Sequence, residues 1–206
     1  AGASRIVLGV GGSDHAFARI HRAYSGLWLA LADHETVMLL PPITADEARA
    51  LPRQGDPSYL ARWTRFFADR LVGANALEEG RYALTAAFDP QLSAKPVASS
   101  CEEAPYVVQR AHDLSSTSTM SAVTWKSWWL NGSGRVVRLR RPSLPDAARV
   151  KAWRKRAREG ALPPVLLFYV SGLDLFVILD GHDRLAAALA EKVPPPLLVA
   201  WRVCEE

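Results

Sequence analysis

Asp180-Gly181-His182-Asp183-Arg184 puts two carboxylates, an imidazole and a guanidinium within five residues. Before it lies the apolar run Val177-Ile178-Leu179, and after it Leu185-Ala186-Ala187-Ala188-Leu189-Ala190-Glu191. That order reads as a strand, a turn built on Gly181, and a helix whose first turn carries His182, Asp183 and Arg184. A helix start leaves backbone N–H groups unpaired and carries partial positive charge. Add an arginine fork and a glycine that permits close approach, and the turn becomes a seat for a phosphate or carboxylate. In this reading Asp180, Gly181 and Arg184 bind the ligand. His182 and Asp183 serve as general acid/base, or Asp183 holds Mg²⁺ against the phosphates. Each residue also has a plain structural use. Asp180 can cap the helix, Asp183 suits the helix dipole, and Arg184 can pair with Asp180 or Glu191.

The flanking elements must hold that turn in place. Leu162 to Val170, opened by Pro163-Pro164, reads as a strand. Ser171-Gly172-Leu173-Asp174 reads as a tight turn and Leu175 to Leu179 as the returning strand. After Pro194-Pro195-Pro196, Leu197 to Val203 reads as a last strand. Upstream, Val136–Leu139 reads as a strand and Asp146–Glu159 as an amphipathic helix. In that helix Ala147, Val150, Trp153 and Ala157 share a face, and Gly160 stops it.

The order of prolines, strand, turn, strand, DGHxR, alanine-rich helix and strand resembles the ParB/sulfiredoxin-like superfamily, over roughly residues 135 to 203. The resemblance implies a β-α-β-β-α-β unit, with Gly181 and Arg184 at the family's glycine and arginine. It further implies binding of a nucleotide or phosphate ester at the turn, with ATP or another nucleotide and Mg²⁺ as cofactor. The reaction class would be phosphoryl transfer or hydrolysis. His182 stands where sulfiredoxins carry their catalytic cysteine, so thiolate chemistry is not expected there.

Charge supplies a second signal. Between Arg135 and Arg158 lie ten basic residues and one acid, Asp146. The segment carries +9 and the whole chain +4, so the rest carries −5. Arg149, Lys151, Arg154, Lys155 and Arg158 form a candidate partner-binding face for an anion. Three partners fit: a nucleotide, an acidic protein surface such as that met by an immunity protein, inhibitor or adaptor, or DNA. DNA fits least well, because no aromatic ladder interleaves with the charges and no recognition-helix motif is present. The second partner makes this a non-catalytic protein that keeps the fold and works by docking.

At 206 residues and 49% hydrophobic, the chain is long enough for one large core or two small ones. No stretch approaches the roughly 20 apolar residues of a membrane helix. No secretory signal is visible, and two cysteines make no disulfide framework, so a cytoplasmic setting is expected.

Residues 1–130 read as a helix-rich region. Phe17, Ile20, Tyr24, Leu27, Trp28 and Leu31 predict a helix over 13–32, and Tyr59, Trp63, Phe67 and Leu71 one over 57–76. Thr44 to Glu47 is a capping box. Tyr82 to Phe88 reads as a strand, and 104–114 and 120–130 as helices. Gly9-Val10-Gly11-Gly12-Ser13 lacks the Lys-Ser/Thr of a phosphate loop, and no metal-ligand spacing occurs. The expected fold is therefore α+β, with a helix-rich elaboration over 1–130 and the ParB/sulfiredoxin-like unit over 131–206.

Overall fold

A computed structural model describes residues 5–10, 13–21, 26–32, 39–74, 77, 79–86, 120–127, 135–139, 143–170 and 175–203. For 5–32, 120–127, 135, 137 and 175 the description is of the backbone. The fold is α+β. The strands are β1 (Arg5–Val10), β2 (Ser13–His21), β3 (Gly26–Ala32), β4 (Tyr82–Ala86), β5 (Met120–Ser127), β6 (Arg135–Val137), β7 (Val165–Val170), β8 (Leu175–Asp180) and β9 (Leu197–Arg202). The helices are α1 (Ala45–Ala50), α2 (Tyr59–Ala74), α3 (Ala148–Arg158) and α4 (His182–Ala190).

Two sheets form. One is antiparallel, in the order β1-β2-β3-β5. It corrects the helix expected over 13–32, where the chain makes two strands in register, Ala16 opposite Leu31 through His21 opposite Gly26. Leu27, Leu29 and Leu31 also alternate at the strand period, and a glycine at position 26 would weaken a helix by about 1 kcal/mol. Pairing with β1 and β5 resolves that ambiguity. Within the helix expected over 120–130, Met120–Ser127 is likewise a strand, β5, where β-branched Val123 and Thr124 beside Trp125 favour an extended backbone. Among its described residues the N-terminal region is not helix-rich: they form five strands and two helices. β1 and β2 pair antiparallel with Val10 opposite Ser13, so a strand and not a helix follows this glycine-rich segment. The helix expected over 104–114 lies outside the described residues.

The second sheet is mixed, in the order β4-β9-β7-β8-β6. β4 runs antiparallel to β9, β9 parallel to β7, β7 antiparallel to β8, and β8 parallel to β6. The element order β6-α3-β7-β8-α4-β9 agrees with the reading from sequence to within two residues at most strand and helix ends. Strand alternation sorts the sheet's side chains into two clusters. Leu166, Val177, Leu179 and Leu198 join a core with Trp63, Phe67 and Leu71 of α2 and Trp153 and Ala157 of α3. Val165, Leu167, Ile178 and Val199 form the other, with Leu185 of α4. Residues on both sides of the expected 130/131 boundary share the first core, and β4 pairs with β9 across it.

Local chemistry explains the helix ends. Thr44 Oγ1 accepts from the Glu47 N–H, and the Glu47 carboxylate accepts from the Thr44 N–H at 2.7 Å, so the capping box forms. In α2 the buried residues Tyr59, Trp63, Phe67 and Leu71 repeat every fourth position. Helix α3 ends at Gly160, whose φ of +63° lets the Ala161 N–H reach the Arg156 carbonyl at 2.9 Å. Among the described residues, no helix is long and apolar enough to cross a membrane.

Candidate functional site

The strand-to-helix turn is built around the Arg184 side chain. Gly181 is the N-cap of α4, at φ +106° and ψ 21°. A Cβ there would lie 2.8 Å from Arg184 Nη2, 3.1 Å from its Cζ and 3.1 Å from the Val165 Cα. Glycine is therefore required twice, by the backbone angle and by the guanidinium folded against it. Arg184 is 1% exposed. Its Nη2 donates to the Pro164 carbonyl and to Asp180 Oδ2, each at 2.9 Å. Its Cζ lies 5.8 Å from the centre of the Trp153 ring. Among the described residues its buried Nε has no hydrogen-bond partner. The guanidinium thus ties the start of β7, the end of β8 and helix α3 to the α4 turn.

Asp180 does not cap the helix. The N-cap is Gly181, with no side-chain cap, and the Asp180 carboxylate holds Arg184 instead. His182 is 4% exposed, and its Nε2 accepts the Leu139 N–H at 3.2 Å. That bond requires Nε2 to be unprotonated and fastens the segment after β6 to the helix start. Asp183, also 4% exposed, has its Oδ2 3.5 Å from Arg149 Nε. Asp180, Gly181 and Arg184 therefore come together beneath the turn, while His182 and Asp183 are buried against other partners, Leu139 and Arg149. Leu139 and Pro164 are partners that no motif in the sequence marks. Both contribute backbone atoms, for which side-chain type carries no signal.

The basic helix is likewise half absorbed by the fold. Arg154 Nε and Arg158 Nη1 lie 2.6 and 2.8 Å from the same oxygen, Oε1 of Glu191, just beyond the last turn of α4. These two bonds, Arg154 first, hold the Glu191 carboxyl below its ordinary range. Arg156 donates to the carbonyls of Ala48 and Ala45 in α1 and lies over Trp153. Lys151 and Lys155 are exposed, and among the described residues neither forms an ion pair. No acidic residue interrupts α3. The expected partner face thus resolves into Lys151 and Lys155, flanked by the partly exposed Arg149, Arg154 and Arg158.

Among the described residues, no three His, Cys, Asp or Glu side chains come together as metal ligands would. Comparison with family models, curated proteins and solved structures found no match to this chain.

Proposed function

We propose that this chain works by binding: it keeps a ParB/sulfiredoxin-like fold as a scaffold and docks on an acidic protein through the outer face of α3. The observation that carries this reading is the burial of Arg184. The residue expected to clamp phosphate is 1% exposed and donates to Pro164 and Asp180. To reach a nucleotide it would have to break both bonds and expose an apolar surround. His182, the expected acid/base, has its Nε2 occupied as acceptor of the Leu139 N–H. On α3, Lys151 and Lys155 face solvent and carry charge that the fold does not use. Like-signed charge concentrated on one exposed face speeds and orients association with an opposite surface.

The rival reading, a nucleotide at the Gly181 turn, draws on the unbonded Arg184 Nε. Thermal shift with ATP, ADP, CTP and GTP, each with and without Mg²⁺, separates the two. A ligand that binds only the native state adds about 2.7 kcal/mol at 100 times its Kd. The expected result is no shift, together with salt-sensitive binding of fluorescent poly-L-glutamate that is lost in Lys151→Glu/Lys155→Glu. A nucleotide shift abolished by Arg184→Lys, without polyglutamate binding, would reverse the assignment. Salt-sensitive binding of duplex DNA with no binding of polyglutamate would assign the helix to nucleic acid instead.

A further inference from the structure

Arg154 and Arg158 lie one helical turn apart, so their side chains emerge from the same side of α3. Both reach a single carboxylate oxygen, Glu191 Oε1, at 2.6 and 2.8 Å. The Glu191 side chain is 12% exposed, while those of Arg154 and Arg158 are 38% and 55% exposed. Two arginines converging on one oxygen make a carboxylate site, and here the carboxylate comes from the chain itself. The pair lies at the C-terminal end of the helix that presents Lys151 and Lys155.

We infer that Glu191 is a built-in competitor, occupying a two-arginine site that receives an acidic side chain of the partner when α3 docks. This rests on the docking reading above and adds its regulation: the surface is partly neutralised until an acidic chain displaces Glu191. Displacement is accessible because both guanidinium groups stay partly open to water, where an ion pair exchanges readily for another of the same kind. The incoming group is a carboxylate of a polypeptide, since the site already holds a carboxylate at hydrogen-bonding distance. Lys151 and Lys155 supply the long-range attraction, and Arg154 with Arg158 the short-range geometry.

The test is the affinity of polyglutamate, by anisotropy at fixed low salt, for wild type, Glu191→Gln, Glu79→Gln and Arg154→Gln/Arg158→Gln. Glu79 is exposed and stands outside α3 and α4, so its substitution gives the same change in net charge without opening the clasp. Melting curves establish that each variant is folded. Glu191→Gln is expected to bind about three- to fivefold more tightly than Glu79→Gln, the equivalent of up to about 1 kcal/mol. The double arginine variant should bind more weakly than wild type and gain nothing from adding Glu191→Gln. Equal affinity of Glu191→Gln and Glu79→Gln, with wild type binding and Lys151→Glu/Lys155→Glu not binding, would overturn the competitor and leave the docking reading standing. Absence of binding by every variant would overturn both.

Discussion

Replacing Gly181 by alanine tests whether the turn is organised around a buried arginine. At φ +106° and ψ 21° the backbone is in a region that an L residue occupies at a cost of about 1–3 kcal/mol. The new methyl would stand 2.8 Å from Arg184 Nη2 and 3.1 Å from the Val165 Cα. The guanidinium can yield only by loosening its bonds to Pro164 and Asp180, and Val165 belongs to a strand paired on both sides. A further loss of about 1 kcal/mol is expected from weakening one such hydrogen bond. The total of about 3 kcal/mol corresponds to a fall in Tm of roughly 6–12 °C at this chain length. Urea unfolding followed by far-UV circular dichroism measures the loss directly. The cycle with Arg184→Met identifies its origin. Methionine removes the guanidinium that the methyl meets, so Gly181→Ala should cost about 1 kcal/mol less in that background. A cost below about 1 kcal/mol in the wild type, or one unchanged by Arg184→Met, would refute the proposed packing.

Two further expectations concern groups whose partners lie far away in sequence. Burial pushes the Tyr59 hydroxyl well above its ordinary value of 10.0, outweighing the opposing effects of Gln54 and Arg184. A folded-state value raised above the unfolded one gives stability that is whole below about pH 10 and is lost as pH rises beyond it. Urea midpoints between pH 8 and 11 should therefore fall more steeply in wild type than in Tyr59→Phe. At neutral pH, Tyr59→Phe should itself lose about 1 kcal/mol with the 2.8 Å bond to the Leu162 carbonyl; parallel alkaline limbs would contradict the assignment. His182→Leu leaves the buried Leu139 N–H without its acceptor and should cost about 1–3 kcal/mol in urea unfolding, with His182→Gln losing less because its amide oxygen can accept. If the two variants are equally stable, the Leu139 bond contributes nothing.

Much of the fold over residues 135–203 was legible because its signals are local. Val165 to Val170 and Phe176 to Leu179 alternate cleanly between the two faces of one sheet. Gly160 stops a helix by a positive φ that its own sequence position supplies. Thr44 and Glu47 cap α1 through atoms three residues apart. The segment 13–32 was not legible, because its apolar spacing satisfies both a helix and a pair of strands. The choice belongs to the neighbouring strands, which supply backbone partners from residues 5–10 and 120–127.

The sequence by itself determined that Asp180, Gly181, His182, Asp183 and Arg184 would meet at one strand-to-helix turn, since five consecutive residues cannot be far apart. It also determined that α3 would be uniformly basic. Only the tertiary structure decided which way these groups face. Arg184 folds beneath its own glycine because Pro164 offers a carbonyl there, and His182 turns inward because the Leu139 N–H needs an acceptor. Arg154 and Arg158 meet Glu191 only because α3 packs beside α4. Residue type sets what a group can bond to. Burial and the placement of distant backbone atoms set what it does bond to, and a one-dimensional pattern carries neither.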